Sequence, residues 1–107
     1  MRKYRNRPTT VDGIKFASAK EARRYSELKL LEKAGAIHSL ELQPRIKLEV
    51  GGVKIVYRSG RQATYVADFR YIEHGRYVTE DTKGVRTRDY KLKDAILLAA
   101  GIRVVEL

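Results

Sequence analysis

The spacing of apolar residues changes character at Gly35, and few folds accommodate that change. Before it, Ser18 precedes a run, residues 19–35, in which Ala22, Tyr25, Leu28 and Leu31 recur at helical spacing. Ser18 is a natural N-cap and Gly35 a natural stop, so a helix is expected with those four residues buried. Lys20, Arg23, Arg24 and Glu27 fall mostly outside that stripe. Beyond Gly35 the period becomes two. Leu40, Leu42, Ile46, Leu48 and Val50 alternate through residues 39–50, interrupted by Pro44, and Gly51–Gly52 turns the chain. Further strands are expected at 53–57, 63–73 and 76–83, separated by turns at 58–62 and His74–Gly75. A second helix is expected over 87–100, with Leu92, Ala95, Ile96 and Ala99 inward and Gly101 as its cap, before a last strand at 102–107.

Helix, meandering strands, helix, strand is the order of an α+β or mixed α/β domain with helices packed on a central sheet. A right-handed crossover would lay the last strand parallel to a neighbour. At 107 residues the chain has room for one domain, taken as 1–107. There is no cysteine, which excludes disulfides and thiolate metal sites. No apolar run is long enough to cross a bilayer. With no signal-type segment at the start, an intracellular protein is expected.

Charge is the strongest global signal: 23 Lys and Arg against 13 Asp and Glu give a net +10. Such an excess attracts a polyanion, most commonly nucleic acid, although a merely soluble basic surface would have the same composition. The basic residues are spread along the chain, which argues against a membrane-surface helix. Residues 1–10 are expected to form a basic arm whose Arg2, Lys3 and Arg5 lie along phosphates, or else a simple frayed terminus.

Acids in the strands carry the chemistry. Asp68 sits in an apolar and aromatic strand, and Asp81 and Lys83 are two apart on the next, hence on one face. A hairpin about His74–Gly75 would set Asp68 and Asp81 across from each other. Two carboxylates in proximity repel unless a cation joins them. Mg²⁺ fits that need, since it favours a few carboxylates, retained waters and a substrate phosphate. The Thr82 backbone carbonyl would add an oxygen. Lys83 would orient or deprotonate a water, or steady phosphate charge. Glu80 faces the other side and is expected to be structural or solvent-facing. A surface ion pair of Asp68 or Asp81 with Lys83 and Arg70 is the plainer alternative. Glu21, in the first helical turn, shares a face with Tyr25 and Leu28. It suits a third metal ligand, and Ser18-x-x-Glu21 is equally a capping box. His38 and His74 are expected to have no catalytic part, while Tyr90 is placed to stack on or hydrogen-bond to a substrate.

A helical acid, a strand aspartate and then (D/E)-x-K on the next strand resembles the PD-(D/E)xK nuclease superfamily. Here the matching residues are Glu21, Asp68, Asp81 and Lys83, with "YVAD" at 65–68 and "EDTKG" at 80–84. "FASAKE" at 16–21 is similar to the helix entry of transposon end-cleaving and mismatch-nicking nucleases. The chain also resembles, through "KYRN", "TTVDGIKF", "KEARRY", "LELQPR", "TYVADF" and "EDTKG", a phage-encoded family of small basic proteins whose domain is of unknown function. One departure is Ala67, where the superfamily motif places proline before its first aspartate.

The resemblance implies a restriction-endonuclease-like α-β-β-β-α-β core and a metal-dependent endonuclease hydrolysing DNA phosphodiester bonds, with Mg²⁺ as cofactor and Mn²⁺ able to substitute. Asp68 and Asp81 would hold the ion and Glu21 would complete the shell. Arg70, Arg86, Arg88 and Lys91 would contact phosphates. So small a chain leaves little room for a base-reading module, so branched recombination or replication intermediates are the expected substrate. A homodimer would suit cutting of two strands, in the cytoplasm of a bacterial host, with no membrane or small-molecule partner. The alternatives are a non-catalytic nucleic-acid-binding accessory on the same fold, or a nuclease subunit that needs a partner.

Overall fold

The computed structural model describes residues 7–82 and 87–107. The chain forms two compact units, Met1–His38 and Ser39–Leu107, each built around its own contacts.

In the first unit, β1 (Thr9–Val11) and β2 (Ile14–Phe16) form an antiparallel hairpin around Asp12 and Gly13, whose φ angles are 54° and 76°. An Asp-Gly pair in the left-handed region is the usual two-residue hairpin turn. Thr9 and Thr10 were expected within a basic arm; they are strand residues, because pairing with Phe16 and Lys15 satisfies their backbone. Helix α1 (Ala19–Lys33) begins as expected, with the Ser18 side chain accepting the Glu21 N–H at 3.1 Å. It ends in a Schellman motif: the Gly35 N–H donates to the Glu32 carbonyl and the Ala36 N–H to that of Leu31. Ala22, Tyr25 and Leu28 are buried, but Leu31 is exposed, so the expected stripe stops one turn early. Hairpin and helix are joined through Tyr25. Its ring lies 4.9 Å from that of Phe16, and its hydroxyl donates to Asp12 at 3.0 Å.

Strand β3 (His38–Leu42) leads into the second unit and ends at Gln43, whose φ of 48° turns the chain before Pro44. Strands β4 (Arg45–Lys47), β5 (Glu49–Val50), β6 (Val53–Lys54) and β7 (Thr64–Val66) follow as a small meander: β4 pairs with β7 and β5 with β6. The continuous strand expected over 63–73 is divided. At Ala67 the N–H still donates to the Pro44 carbonyl, whereas the Asp68 N–H donates to Glu80, so the chain changes partner between them. From there β8 (Phe69–Glu73) and β9 (Arg76–Asp81) form an antiparallel hairpin. Its turn is His74–Gly75, both left-handed at φ 52° and 74°, as a two-residue turn requires. Helix α2 (Arg88–Ala99) precedes β10 (Val104–Glu106), which pairs parallel to β9 as the crossover expectation has it. The resulting sheet is mixed, in the order β10-β9-β8-β3, and the described fold is α+β. No helix among the described residues is long and apolar enough to cross a membrane.

The core of this unit joins Ile46, Leu48, Ala63, Tyr65 and Ala67 to Tyr90, Leu97 and Val104. Helix α2 is therefore rotated from the expected orientation. Leu97 is 1% exposed but Leu92 is 62% exposed, and Ala95 and Ala99 also face water. Two apolar sets overlap on this helix, and the one that buries the Tyr90 ring prevails because an aromatic ring hides more surface than an alanine. Only Ile96, of the residues expected inward, packs against the core. Leu97→Ala should lose about 2–5 kcal/mol of unfolding free energy, by loss of packing and a residual cavity. Leu92→Ala should change it by no more than about 0.5 kcal/mol. Urea denaturation followed by circular dichroism separates them, and equal losses would place α2 in the other orientation.

Candidate functional site

The last residues of β9 are the most enclosed polar group of the second unit. Glu80 is 1% exposed and Asp81 0%, and because they are adjacent on a strand they face opposite sides of the sheet. A buried carboxylate carries a desolvation cost of several kcal/mol unless donors meet it. Each has a tyrosine. The Tyr71 hydroxyl, from β8, donates to Glu80 Oε2, and the Tyr65 hydroxyl, from β7, donates to Asp81 Oδ2. Glu80 thus faces away from Asp81 as expected, but is a buried, hydrogen-bonded residue and not a solvent-facing one.

Tyr65 in turn lies with its ring 5.9 Å from that of Tyr90, on α2. Burial pushes the Tyr65 phenol far up, and the Asp81 carboxylate adds to the rise. Burial likewise raises Tyr90, with Glu106 contributing. Both hydroxyls therefore remain protonated, and Tyr65 remains a donor, across the neutral range.

Asp68 stands where the sheet changes partner. The pairing of Phe69 with Glu80 makes Asp68 and Asp81 the next positions in register, as the hairpin expectation places them. Its N–H donates to the Glu80 carbonyl at 3.1 Å, one step off that register, and its own carbonyl accepts the Gln43 N–H at 2.9 Å. Such a local slip re-aims a side chain. The Asp68 carboxylate accepts both the N–H and the hydroxyl of Thr82, each at 2.6 Å. Thr82, whose backbone carbonyl is expected to face an ion, uses its N–H and hydroxyl to hold Asp68. Asp68, Asp81 and Thr82 thus occupy one end of the β8–β9 hairpin. Their donor set is carboxylate and hydroxyl oxygen, which suits a hard cation such as Mg²⁺. Among the described residues, no three His, Asp or Glu side chains gather into a ready-formed metal cluster.

The other expected site residues are distributed more widely. Lys83, Arg86, Arg2, Lys3 and Arg5 lie outside the described residues. Glu21 belongs to the first unit, where it is buried on α1 and supplies the N–H that Ser18 caps. Arg88 and Lys91 are exposed at the start of α2. Arg70 is held by Glu41 through two bonds, Nε at 2.7 Å and Nη2 at 3.0 Å, and sits 5.3 Å from the centre of the Tyr77 ring. The guanidinium holds the Glu41 carboxyl below the usual range, and Glu41 raises Arg70 in return. A phosphate would have to compete with Glu41 for it. Both histidines are exposed. Sequence reasoning passed over Tyr65 and Tyr71, for which the available signal was chemical: a strand that buries acids needs donors with apolar bodies, and tyrosine is both.

These features define a mixed α+β protein with two aspartates at the end of a sheet hairpin. The chain belongs to the DUF1064 family, described as a protein of unknown function, which matches residues 1–103. Comparison with curated proteins and with solved structures gave no match.

Tyr65→Phe keeps the ring and removes the donor to Asp81, so unfolding free energy should fall by about 1.5–3 kcal/mol at neutral pH. The sign with pH follows from the raised phenol. A group whose folded pKa lies above its unfolded one stabilises fully below the unfolded value, 10.0 for tyrosine, and that contribution is lost as pH rises beyond it. Wild-type stability should therefore decline above about pH 10, and more shallowly in Tyr65→Phe. Denaturation curves from pH 8 to 11 measure both slopes, and parallel slopes would detach Tyr65 from the alkaline loss.

Proposed function

We propose that this protein is a metal-dependent endonuclease acting on DNA, with the restriction-endonuclease-like topology that its helix and strand order resembles. The observation that carries the reading is that Asp68 and Asp81 lie at the same end of the β8–β9 hairpin, Asp81 two residues before Lys83 in the chain. Asp68 and Asp81 would hold Mg²⁺ or Mn²⁺, with waters and a substrate phosphate supplying the remaining oxygens. When bound, the ion would polarise the phosphate and lower the pKa of a coordinated water. The protein's own contributions are positional. Tyr65 fixes the direction of the Asp81 carboxylate, Thr82 fixes that of Asp68, and Lys83 would orient the water or take its proton. The net charge of +10 supports a polyanionic substrate. Structure-selective cutting of branched recombination or replication intermediates fits a chain this small, and a homodimer would cut both strands.

A second reading draws on the same bonds. Thr82 and Tyr65 already satisfy oxygens of Asp68 and Asp81, as they would in a purely structural role. The protein would then be a non-catalytic nucleic-acid-binding accessory, or a subunit activated by a partner.

Purified wild type should cut branched DNA in Mg²⁺ or Mn²⁺ but not in EDTA, and Asp81→Asn should be slower by roughly 10²-fold or more. Asp68→Asn, on the less buried aspartate, guards against misfolding of the first variant, and Glu21→Gln reads whether the acid on α1 takes part. Equal cleavage by wild type and both aspartate variants, or none by any, would sink the nuclease reading. Calorimetric titration of Mn²⁺ into wild type and Asp68→Ala distinguishes the accessory, which should take up no ion.

A further inference from the structure

The meander between Pro44 and Ala67 supplies only Tyr65 to the proposed centre. It nevertheless carries five cations, Arg45, Lys47, Lys54, Arg58 and Arg61, against one acid, Glu49. Glu49 lies opposite Lys54 in the β5–β6 register, which offsets that pair. Arg45, Lys47, Arg58 and Arg61 are exposed, and no ion pair among the described residues engages them. By contrast Arg24, Lys29, Arg70 and Lys93 each have a carboxylate partner. Four exposed, unpaired cations within residues 45–61 thus give this one structure a dense local excess of positive charge.

The meander is also firmly held. Ile46, Leu48, Ala63 and Tyr65 face the core, and Ile55 packs against them. Its tip is closed by the Tyr57 N–H donating to the Arg61 carbonyl at 2.8 Å and the Gly60 N–H donating to Tyr57 at 2.9 Å. Gly60 has φ 94°, a conformation side-chain-bearing residues rarely adopt, so the turn has a defined shape. At the tip Tyr57, next to Arg58 in the chain and bonded through its backbone to Arg61, is 50% exposed. Cations that ride on a rigid ribbon bind a polyanion without the ordering cost a floppy tail incurs.

We propose that this meander is a docking surface for the phosphate backbone of duplex DNA, contacted by Arg45, Lys47, Arg58 and Arg61, with Tyr57 against the sugar or base edge. The nuclease reading enters only in naming DNA as the polyanion. A strand-built, basic tip suits a groove and its phosphates, since a two-stranded ribbon fits the major groove. An anionic membrane is favoured less, because surface binding there is usually the work of an amphipathic helix.

The test is fluorescence anisotropy of a labelled duplex with the full chain in EDTA, where nothing is cut, over a series of salt concentrations. Replacing both Arg58 and Arg61 with Ala should weaken binding roughly 10-fold or more and reduce the salt slope by about 1.8, near 0.9 for each lost phosphate contact. The corresponding double Lys variant should keep the slope, and Arg24→Ala, on a cation already paired, should leave binding unchanged. No binding by wild type, or an unchanged slope in a folded double Ala variant, overturns the proposal. So does loss of binding to anionic phospholipid vesicles with duplex binding intact. Duplex binding through the meander without any cleavage in Mg²⁺ would fail the nuclease reading alone.

Discussion

Removing two adjacent carboxylates from water is the demand around which the second unit is organised. Glu80 and Asp81 are neighbours on β9, so no single pocket can serve both; each needs its own donor on its own face of the sheet. Tyr71 can reach Glu80 because β8 lies beside β9 in register, and Tyr65 can reach Asp81 because β7 has left that sheet to pair with β4. The break at Ala67–Asp68 is thus required by the hydrogen bonding. A continuous strand over 63–73 in the β8–β9 register would carry Tyr65 past Asp81, the last residue of β9, and the pairing with Arg45 to Lys47 would be lost. Helix α2 completes the arrangement by laying Tyr90 against Tyr65, and this contact accompanies the burial of Leu97.

Much of this was legible in the sequence, and the rest was hidden for definite reasons. The β8–β9 hairpin could be read because His74–Gly75 supplies two left-handed residues between extended runs, which also put Asp68 and Asp81 at the same end of it. Both helices were legible from their ends, Ser18 and Gly35 for α1 and Gly101 for α2, while the N-cap role of Thr87 emerges only in the structure. The hairpin at Asp12–Gly13 carried the same turn signal but was hidden by the basic residues before it, which suggested an unstructured arm. The rotation of α2 was not legible, because apolar residues occur on both candidate faces and only the tertiary contact of Tyr90 decides between them. Nor was the division of residues 63–73, since alternation persists through the point where the strand changes partner.

Charge separates the unit into regions of different physical character. Along the β3–β8 pairing Arg70 is locked to Glu41 and covered on one side by Tyr77, so its charge is largely internal to the fold. On the meander Arg45, Lys47, Arg58 and Arg61 face water with no ion pair among the described residues. From sequence Arg70 was expected to contact phosphates and the meander cations were given no part, which ranks Arg70 first. Partner geometry reverses that ranking: a guanidinium already held by two bonds gives up more on meeting a phosphate than one that is only hydrated.

Burial by itself does not distinguish Asp81 from Glu80, since both are enclosed and both are bonded to tyrosine. An apolar pair of similar volume would fill either space with less desolvation cost, so neither acid is explained by stability alone. What separates them is their company. Across the hairpin from Glu80 stands Phe69, fully buried, and the pair reads as a closed packing unit fastened by Tyr71. At the same end as Asp81 stands Asp68, half-exposed, whose carboxylate is held by Thr82. Two acids placed together at a strand end raise the electrostatic cost of folding, which a hard cation would remove. Of the two buried carboxylates, only Asp81 occupies a position where such an ion would relieve the fold as well as serve chemistry.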